Sequence, residues 1–158
     1  MSKINEVVYD WLSNFATTVY ANQSIKMPKY PFIIYKISNY SKQGFDQNIY
    51  NLTDDEIINF GNRTCQISID VYDKENGIAD EISQNIIDSI ETRKTLNHFK
   101  NNNIYLSGDA KSIDLTQFIK SKFEQRFHID IHVNLTTESK EMIETIKANE
   151  IAVKGEIK

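Results

Sequence analysis

The segment from Phe123 to Leu135 constrains the fold most, because its side chains separate into two sets by odd and even position. The odd set is almost entirely apolar: Phe123, Phe127, Ile129, Ile131, Val133 and Leu135. The even set is polar: Glu124, Arg126, His128, Asp130, His132 and Asn134. Side chains repeat every 3.6 residues along an α-helix but every two along a β-strand, so only a strand keeps these sets apart. The segment predicts a strand of about twelve residues with one wet face.

Two earlier segments also predict strands. From residue 65 to residue 72 apolar and polar side chains alternate again, which indicates a strand with a single buried face. Its apolar positions are Cys65, Ile67, Ile69 and Val71. From Phe32 to Tyr40 β-branched and aromatic residues fall on both faces, so we expect this strand to be covered on both sides. Further short strands are expected at 104–106 and 151–157.

Apolar residues spaced three and four apart predict helices. The first begins after Ser2 and fades near residues 21–22, with a stripe of Ile4, Val8, Trp11, Leu12, Phe15 and Val19. The second follows Asp73 or Asn76 as its cap, with a stripe of Ile78, Ala79, Ile82, Ile86, Ile87 and Ile90. A short third helix is expected after Thr136–Thr137, containing Met142, Ile143 and Ile146.

This order of elements predicts an α+β fold, with a mainly antiparallel four- or five-stranded sheet and helices packed on one face. The 158 residues fit one domain, 1–158. Two parts stand apart from its regular pattern: an irregular arm at 41–62 and a C-terminal strand or tail at 150–158. The last strand could pair with the sheet of a neighbouring subunit.

The arm comprises residues 41–62, with Gly44 near its start and Gly61 near its end. A connection of about twenty residues is usually a functional loop, a mobile loop or an extended hairpin. Its large apolar residues either fold back on the core or pack on another subunit. We name as candidate subunit-interface residues Phe45, Ile49, Tyr50, Leu52 and Phe60 of the arm, together with Arg126, Ile151 and Val153.

The charge of the chain argues against binding to nucleic-acid phosphates. Its 18 Lys and Arg against 22 Asp and Glu give a formal charge of −4, and these cations form no basic stripe. The single cysteine, Cys65, excludes an internal disulfide. We expect synthesis in a cytoplasm, since the sequence shows neither a secretory signal nor an apolar run of about 18 residues that could span a membrane.

Sequence motifs for catalysis are absent. The chain lacks G-x-G-x-x-G, G-x-x-x-x-G-K, H-E-x-x-H, C-x-x-C and G-x-S-x-G, which are the common nucleotide, zinc and serine-hydrolase signatures. We therefore expect no enzyme activity, no catalytic residue, no cofactor and no resident metal. Cys65 on an apolar face is interpreted as a core residue, and His98 as a side chain near the end of a helix.

One cluster, His128-x-Asp130-x-His132, deserves a test as a metal site. On a strand its two histidines lie about 13 Å apart, too far to share one metal without ligands from elsewhere. The alternative is a sheet surface facing solvent or another subunit. Arg126 on the same face is a candidate for a cross-strand or intersubunit ion pair, with Asp70 or Asp130 as its partner.

Three segments, in this order and spacing, resemble the tail terminator (neck) proteins of tailed bacteriophages. They are the proline-led strand Lys29-Tyr30-Pro31-Phe32-Ile33-Ile34-Tyr35-Lys36-Ile37, the strand Cys65-Gln66-Ile67-Ser68-Ile69-Asp70-Val71-Tyr72-Asp73 before a helix, and Glu124-Gln125-Arg126-Phe127-His128-Ile129-Asp130-Ile131-His132-Val133. The likeness is greatest to proteins of contractile-tailed phages and related tail-like bacteriocins. It spans about residues 4–135 and includes no catalytic signature.

The resemblance implies a structural virion protein: a hexameric ring that caps the tail tube, stops its polymerisation and provides the platform for head attachment. The implied partners are the tube protein and a head-completion or connector protein, with the tail sheath as a further contact. Genomic DNA is implied to pass through the lumen without specific binding. The alternatives are a head–tail connector, stopper or tube subunit, or a small metal-binding enzyme centred on His128, Asp130 and His132.

Overall fold

The structure is a computed structural model that describes residues 2–23, 26–51 and 55–142. Three helices occur there: α1 (Lys3–Leu12), α2 (Ala79–Ser89) and α3 (Arg93–Lys100). The strands are β1 (Thr17–Tyr20), β2 (Phe32–Asn51), β3 (Glu56–Lys74), β4 (Ile104–Leu106), β5 (Lys111–Asp114), β6 (Gln117–Ile119) and β7 (Lys122–Met142). The predicted C-terminal strand, with Ile151 and Val153, lies outside the described residues.

All the strands join one sheet in the order β1-β2-β3-β7-β4, with β5 and β6 also paired to β7. Every pairing is antiparallel except that of β1 with β2. The fold is therefore α+β and mostly antiparallel, as predicted. The prediction of four or five strands was wrong, because the sheet has seven. Short strands are hard to detect from sequence, since three or four residues give too little alternation to reveal a period.

The core lies between the helices and one face of the sheet. The odd positions of β3 from Cys65 to Val71 are buried, and each faces an apolar residue of β7 across the ladder. The buried residues of all three helices join the same cluster, including Trp11, Ile86 and Phe99. Burial of this one face explains why alternation predicted β3 and β7 correctly.

The first helix is shorter than predicted. It ends at Leu12, where the side chains of Ser13 and Asn14 bond to carbonyl oxygens of the last turn. Thr17–Tyr20, whose residues are mostly β-branched or aromatic, then forms β1 beside β2. The helical spacing of Phe15 and Val19 was therefore misleading, and these residues lie outside the helix.

The arm forms an extended antiparallel hairpin, one of the three alternatives considered for residues 41–62. β2 continues to Asn51 and β3 starts at Glu56, with register shifts between Ser38/Ser41 and between Gln43/Gln47. The prediction of a short helix after Thr136–Thr137 is wrong for the residues up to Met142, because β7 pairs with β3 throughout that stretch. Ile143 and Ile146 lie outside the described residues.

Candidate functional site

A hydrogen-bonded network of polar side chains covers the open face of the sheet, the face opposite the helices. The carboxylate of Asp70 on β3 lies at its centre and accepts from two residues of β7 through a single oxygen, Oδ1. Arg126 Nε donates to it at 2.9 Å, and His128 Nδ1 lies 2.9 Å from it. These residues come together because the register places Asp70 opposite His128, and Arg126 lies two residues before His128 on the same face of β7. The cross-strand ion pair predicted for Arg126 is confirmed with Asp70.

His128 lies between two carboxylates. Its Nε2 is 3.0 Å from Asp130 Oδ2, while its Nδ1 contacts Asp70. Burial disfavours the charged ring, but the two carboxylates outweigh it and raise the pKa of His128 above its ordinary value. The Ser68 hydroxyl donates to Asp130 at 2.7 Å, which extends the network along the sheet. With both ring nitrogens bonded to carboxylates, His128 has no lone pair left for a metal.

The predicted cluster does not assemble as a metal site. Within residues 2–23, 26–51 and 55–142, no group of three His, Cys, Asp or Glu side chains is placed to hold a metal ion. His132 is exposed, further along the same strand. The arrangement on the open face is therefore an ion-pair network that cross-links β3 and β7.

An aromatic stack closes one end of this face. Phe32 stacks on Tyr72 with ring centroids 5.0 Å apart, and Tyr30 stacks on Phe32 at 5.4 Å. The guanidinium of Arg126 lies 5.7 Å from the centre of the Tyr72 ring. The Tyr30 hydroxyl donates to the Glu124 carboxylate, which raises the pKa of Tyr30 to about 12. The strand from Phe32 to Tyr40 was expected to be buried on both faces. This holds at its start, whereas Lys36, Asn39 and Tyr40 are exposed.

His98 and Cys65 have structural roles. His98 lies in the last turn of α3, and its Nε2 is 2.9 Å from the carbonyl oxygen of Val7 in α1. Cys65 is buried in the core, and burial raises the pKa of its thiol to about 11. A thiol held in its neutral form is a poor nucleophile. Both predictions, a core cysteine and a histidine near a helix end, are confirmed.

Three of the predicted interface residues are exposed on the outer part of the hairpin. Phe45 lies in the irregular stretch between Gln43 and Gln47, and Ile49 and Tyr50 lie nearer the end of β2. We call Phe45, Ile49 and Tyr50 the hairpin tip. Phe45 is 99% exposed, and Ile49 and Tyr50 are both more than half exposed. Full exposure of a phenylalanine forgoes about 1.5–3 kcal/mol of burial free energy. The tip residues therefore do not fold back on the core, whereas Phe60 is half-buried and Leu52 lies outside the described residues.

An ion pair links the two strands of the hairpin beside Phe45. Both terminal nitrogens of Arg63 on β3 donate to the Asp46 carboxylate on β2, at 2.9 and 3.1 Å. Arg63 holds the pKa of Asp46 below its ordinary value. The pair lies directly over Gly61, where the Cβ of any other residue would collide with both side chains. A side chain at residue 61 would therefore have to displace this ion pair.

A second exposed apolar surface was missed by sequence reasoning. Phe118 on β6 and Phe123 on β7 lie with ring centroids 5.1 Å apart and are 65% and 50% exposed. Ile119 beside them is also exposed, and we call these three residues the β6 patch. The β6–β7 turn consists of Lys120 and Ser121, both at positive φ. Such hairpin turns usually carry Asn or Gly, and neither residue marks the turn in this sequence. The prediction that Phe123 lies on a buried face was therefore wrong.

Comparison with known proteins identifies one family. The family described as phage neck terminator protein matches residues 2–157. No curated protein matches the chain. In the described residues, no helix combines the length and the hydropathy needed to cross a membrane.

Proposed function

This chain belongs to the phage neck terminator protein family, and we propose that it is the subunit of a hexameric ring that caps the tail tube. Family membership makes it a structural protein of the bacteriophage neck, in the tail of the virion. In the proposed role the ring stops tube polymerisation and provides the platform on which the head attaches.

The exposed hairpin tip is the structural observation that supports assembly. A folded subunit that leaves Phe45, Ile49 and Tyr50 in water gains free energy when another surface covers them. Arg63 and Asp46 hold the hairpin in one shape, so little conformational entropy is lost on docking. A closed ring needs two different surfaces on each subunit, one for each neighbour. The tip supplies one of them.

The other proposed interface residues divide by position. Leu52, Ile151 and Val153 lie outside the described residues. We propose that the predicted last strand, which contains Ile151 and Val153, pairs with a neighbour's sheet. Phe60 is half-buried beside the tip. Arg126 bonds to Asp70 in its own chain, so in a subunit contact it would act through the network it supports.

The proposed partners are the tube protein on one side of the ring and a head-completion or connector protein on the other, with the sheath as a further contact. Six chains of formal charge −4 give a strongly anionic ring. Repulsion between like charges would let the genome pass through the lumen without binding. We infer no catalytic role, because the polar residues of the open face bond to one another.

Electron microscopy of lysates from the parent phage with this gene disrupted tests the proposal. We expect overlong headless tails, because nothing would then stop the tube. Complementation with the intact chain should restore normal length and infectivity. Headless tails of normal length would instead indicate a connector or stopper, and absence of tubes would indicate a tube subunit. Infectious particles would contradict a role in the virion.

A further inference from the structure

The outer edge of β7 is open where this strand runs along the hairpin. On the side away from β3, β4 pairs with β7 only as far as Leu135, and the Thr136 N–H donates to the Asn103 carbonyl oxygen at 3.1 Å. In the part of the chain that the structure describes, no strand pairs with this side of β7 from Thr137 to Met142. Its other side pairs with β3 without a register shift. The edge is therefore a regular template for one further strand.

The backbone groups of this edge point outward at even positions. The carbonyl oxygen of His132 and the N–H of Thr136 both bond to residues on the side of β7 away from β3. Because the orientation repeats every two residues, Glu138, Lys140 and Met142 direct their N–H and C=O groups to the same side. The side chains at even positions of β7 lie on the open face of the sheet, and those at odd positions lie on the helix side.

The other long edge of the hairpin, on β2, is interrupted. Its pairing with β3 shifts register twice between residues 38 and 47, and Asn39 and Gly44 have positive φ. Irregularities of this kind bend a strand and protect an edge from pairing with another chain. An added strand therefore finds a regular template on β7 and not on β2.

The strand predicted in residues 151–157, outside the described residues, has the side-chain pattern that the β7 edge requires. Its odd positions include the apolar residues Ile151, Val153 and Ile157, and its even positions include the charged residues Lys154 and Glu156. Most pairings in this sheet are antiparallel. An antiparallel strand aligned even to even with β7 places its charged side chains on the open face and its apolar side chains on the helix side.

Charge selects one register for this pairing. With Lys140 opposite Glu156, Glu138 lies opposite Lys158, so two pairs of opposite charge form. A shift of two residues in either direction places Lys140 opposite Lys154 or Lys158. Opposite charges that face each other across two strands stabilise the pair, and like charges destabilise it.

The remaining charges at this edge fit the same register. Lys154 lies opposite the uncharged Met142, and Glu141, on the helix side, lies opposite Gly155. Glu150 falls beyond Met142 and faces no described side chain. No like charges therefore stand directly opposite each other along the described edge.

We propose that residues 154–158 of one copy of this chain add antiparallel to the outer edge of β7 in the next copy, with Glu156 opposite Lys140. The donated strand and the accepting edge are different surfaces of the subunit, so the contact is head-to-tail, the kind that closes into a ring. This inference rests on the proposed ring, and it names the edge and the register that receive the donated strand.

Disulfide cross-linking of the purified full-length chain tests the contact. In this register Ser139 faces Ile157 in a non-hydrogen-bonded pair, with Cα atoms about 4.5 Å apart, which suits a disulfide. Oxidised Ser139→Cys with Ile157→Cys should give a ladder of covalent oligomers on non-reducing denaturing gels, because each disulfide joins two copies. Ser139→Cys with Val153→Cys is the control and should give no ladder, since its cysteines lie about 13 Å out of register. Cys65 is buried and should not react.

Charge reversal tests the register without cysteines. Lys140→Glu should raise the concentration at which rings form in sedimentation velocity, because it places two carboxylates opposite each other. Adding Glu156→Lys should restore assembly. Lys94→Glu, an equal charge change at an exposed position of α3, should leave assembly as in the wild-type chain. This experiment decides the question if a cysteine variant fails to fold.

Several results would overturn the assignment. Loss of free thiols without a ladder would show that the strand covers the β7 edge of its own chain, and a ladder from the control pair would show a different register. Rings of the Ser139→Cys with Ile157→Cys variant that form no disulfide would show that the strand binds elsewhere, although the proposed ring would stand. A wild-type chain that stays monomeric at high concentration would contradict the contact, while the lysate microscopy judges the terminator role separately.

Discussion

At the scale of single residues, the open face shows how one histidine links two strands. His128 bonds to Asp70 across the ladder and to Asp130 along its own strand. Sequence reasoning anticipated the pairing of Arg126 with an aspartate, because alternation placed both on one face. It could not anticipate that His128 would share the same acceptor, since a one-dimensional pattern does not fix the register between strands.

The pKa of His128 gives this network a pH-dependent contribution to stability. The folded-state pKa is raised, so the contribution is fully present below the unfolded value of 6.5 and is lost as the pH rises through the folded value. We expect His128→Gln to lower the free energy of unfolding more at about pH 5.5 than at about pH 8.5. Urea denaturation at the two pH values measures the difference.

His132→Gln is the matched control for that experiment. His132 lies on the same strand and is exposed, so its replacement should have a small effect at either pH. An equal loss of stability at both pH values for His128→Gln would show that the charge on its imidazole does not contribute.

At the scale of elements, the strands that were predicted correctly are those with one face buried in the core. β3 and β7 were found because their inner faces are buried against the helices over a long stretch. Their outer parts, which form the hairpin, have no helix beneath them to impose alternation on the sequence. Hydrogen bonding between adjacent strands maintains the strand there, and a single sequence contains no signal for it. β1, β5 and β6 were missed for another reason, because three or four residues are too few to show a period.

The start of α2 depends on one buried carboxylate. Asp73 accepts from the backbone N–H of Ile78 at 2.8 Å and from that of Lys74 at 2.7 Å. We expect Asp73→Ala to lower the free energy of unfolding by about 1–2 kcal/mol, because two backbone N–H groups before and at the start of α2 lose their acceptor. Denaturant titration of the purified chain measures it. Asp109→Ala in an exposed turn should cost under about 0.5 kcal/mol; similar losses for both variants would contradict the role of Asp73.

The hairpin tip should matter for assembly and not for folding. Phe45→Ser with Tyr50→Ser removes only exposed rings, so we expect the free energy of unfolding of the monomer to change by less than about 0.5 kcal/mol. Ile131→Ala in the buried core is the contrasting variant and should cost about 2–5 kcal/mol. Thermal and urea unfolding measure both. A large loss of stability in the tip variant would place these residues in the core of the subunit.

At the scale of the whole molecule, order and spacing of segments were more informative than any single site. Three strand segments in sequence indicated the neck terminator family, which the family match confirms. The composition alone excluded few structural roles. Ring symmetry could not be predicted from the chain, because symmetry depends on how two surfaces of neighbouring subunits meet.

Cryo-electron microscopy of the virion neck tests the central claim most directly. The account predicts one layer of six copies of this chain, seated on the last ring of the tail tube and below the connector. A layer with another number of copies, a position within the tube wall or next to the portal, or absence of the chain from the neck would contradict the proposed role.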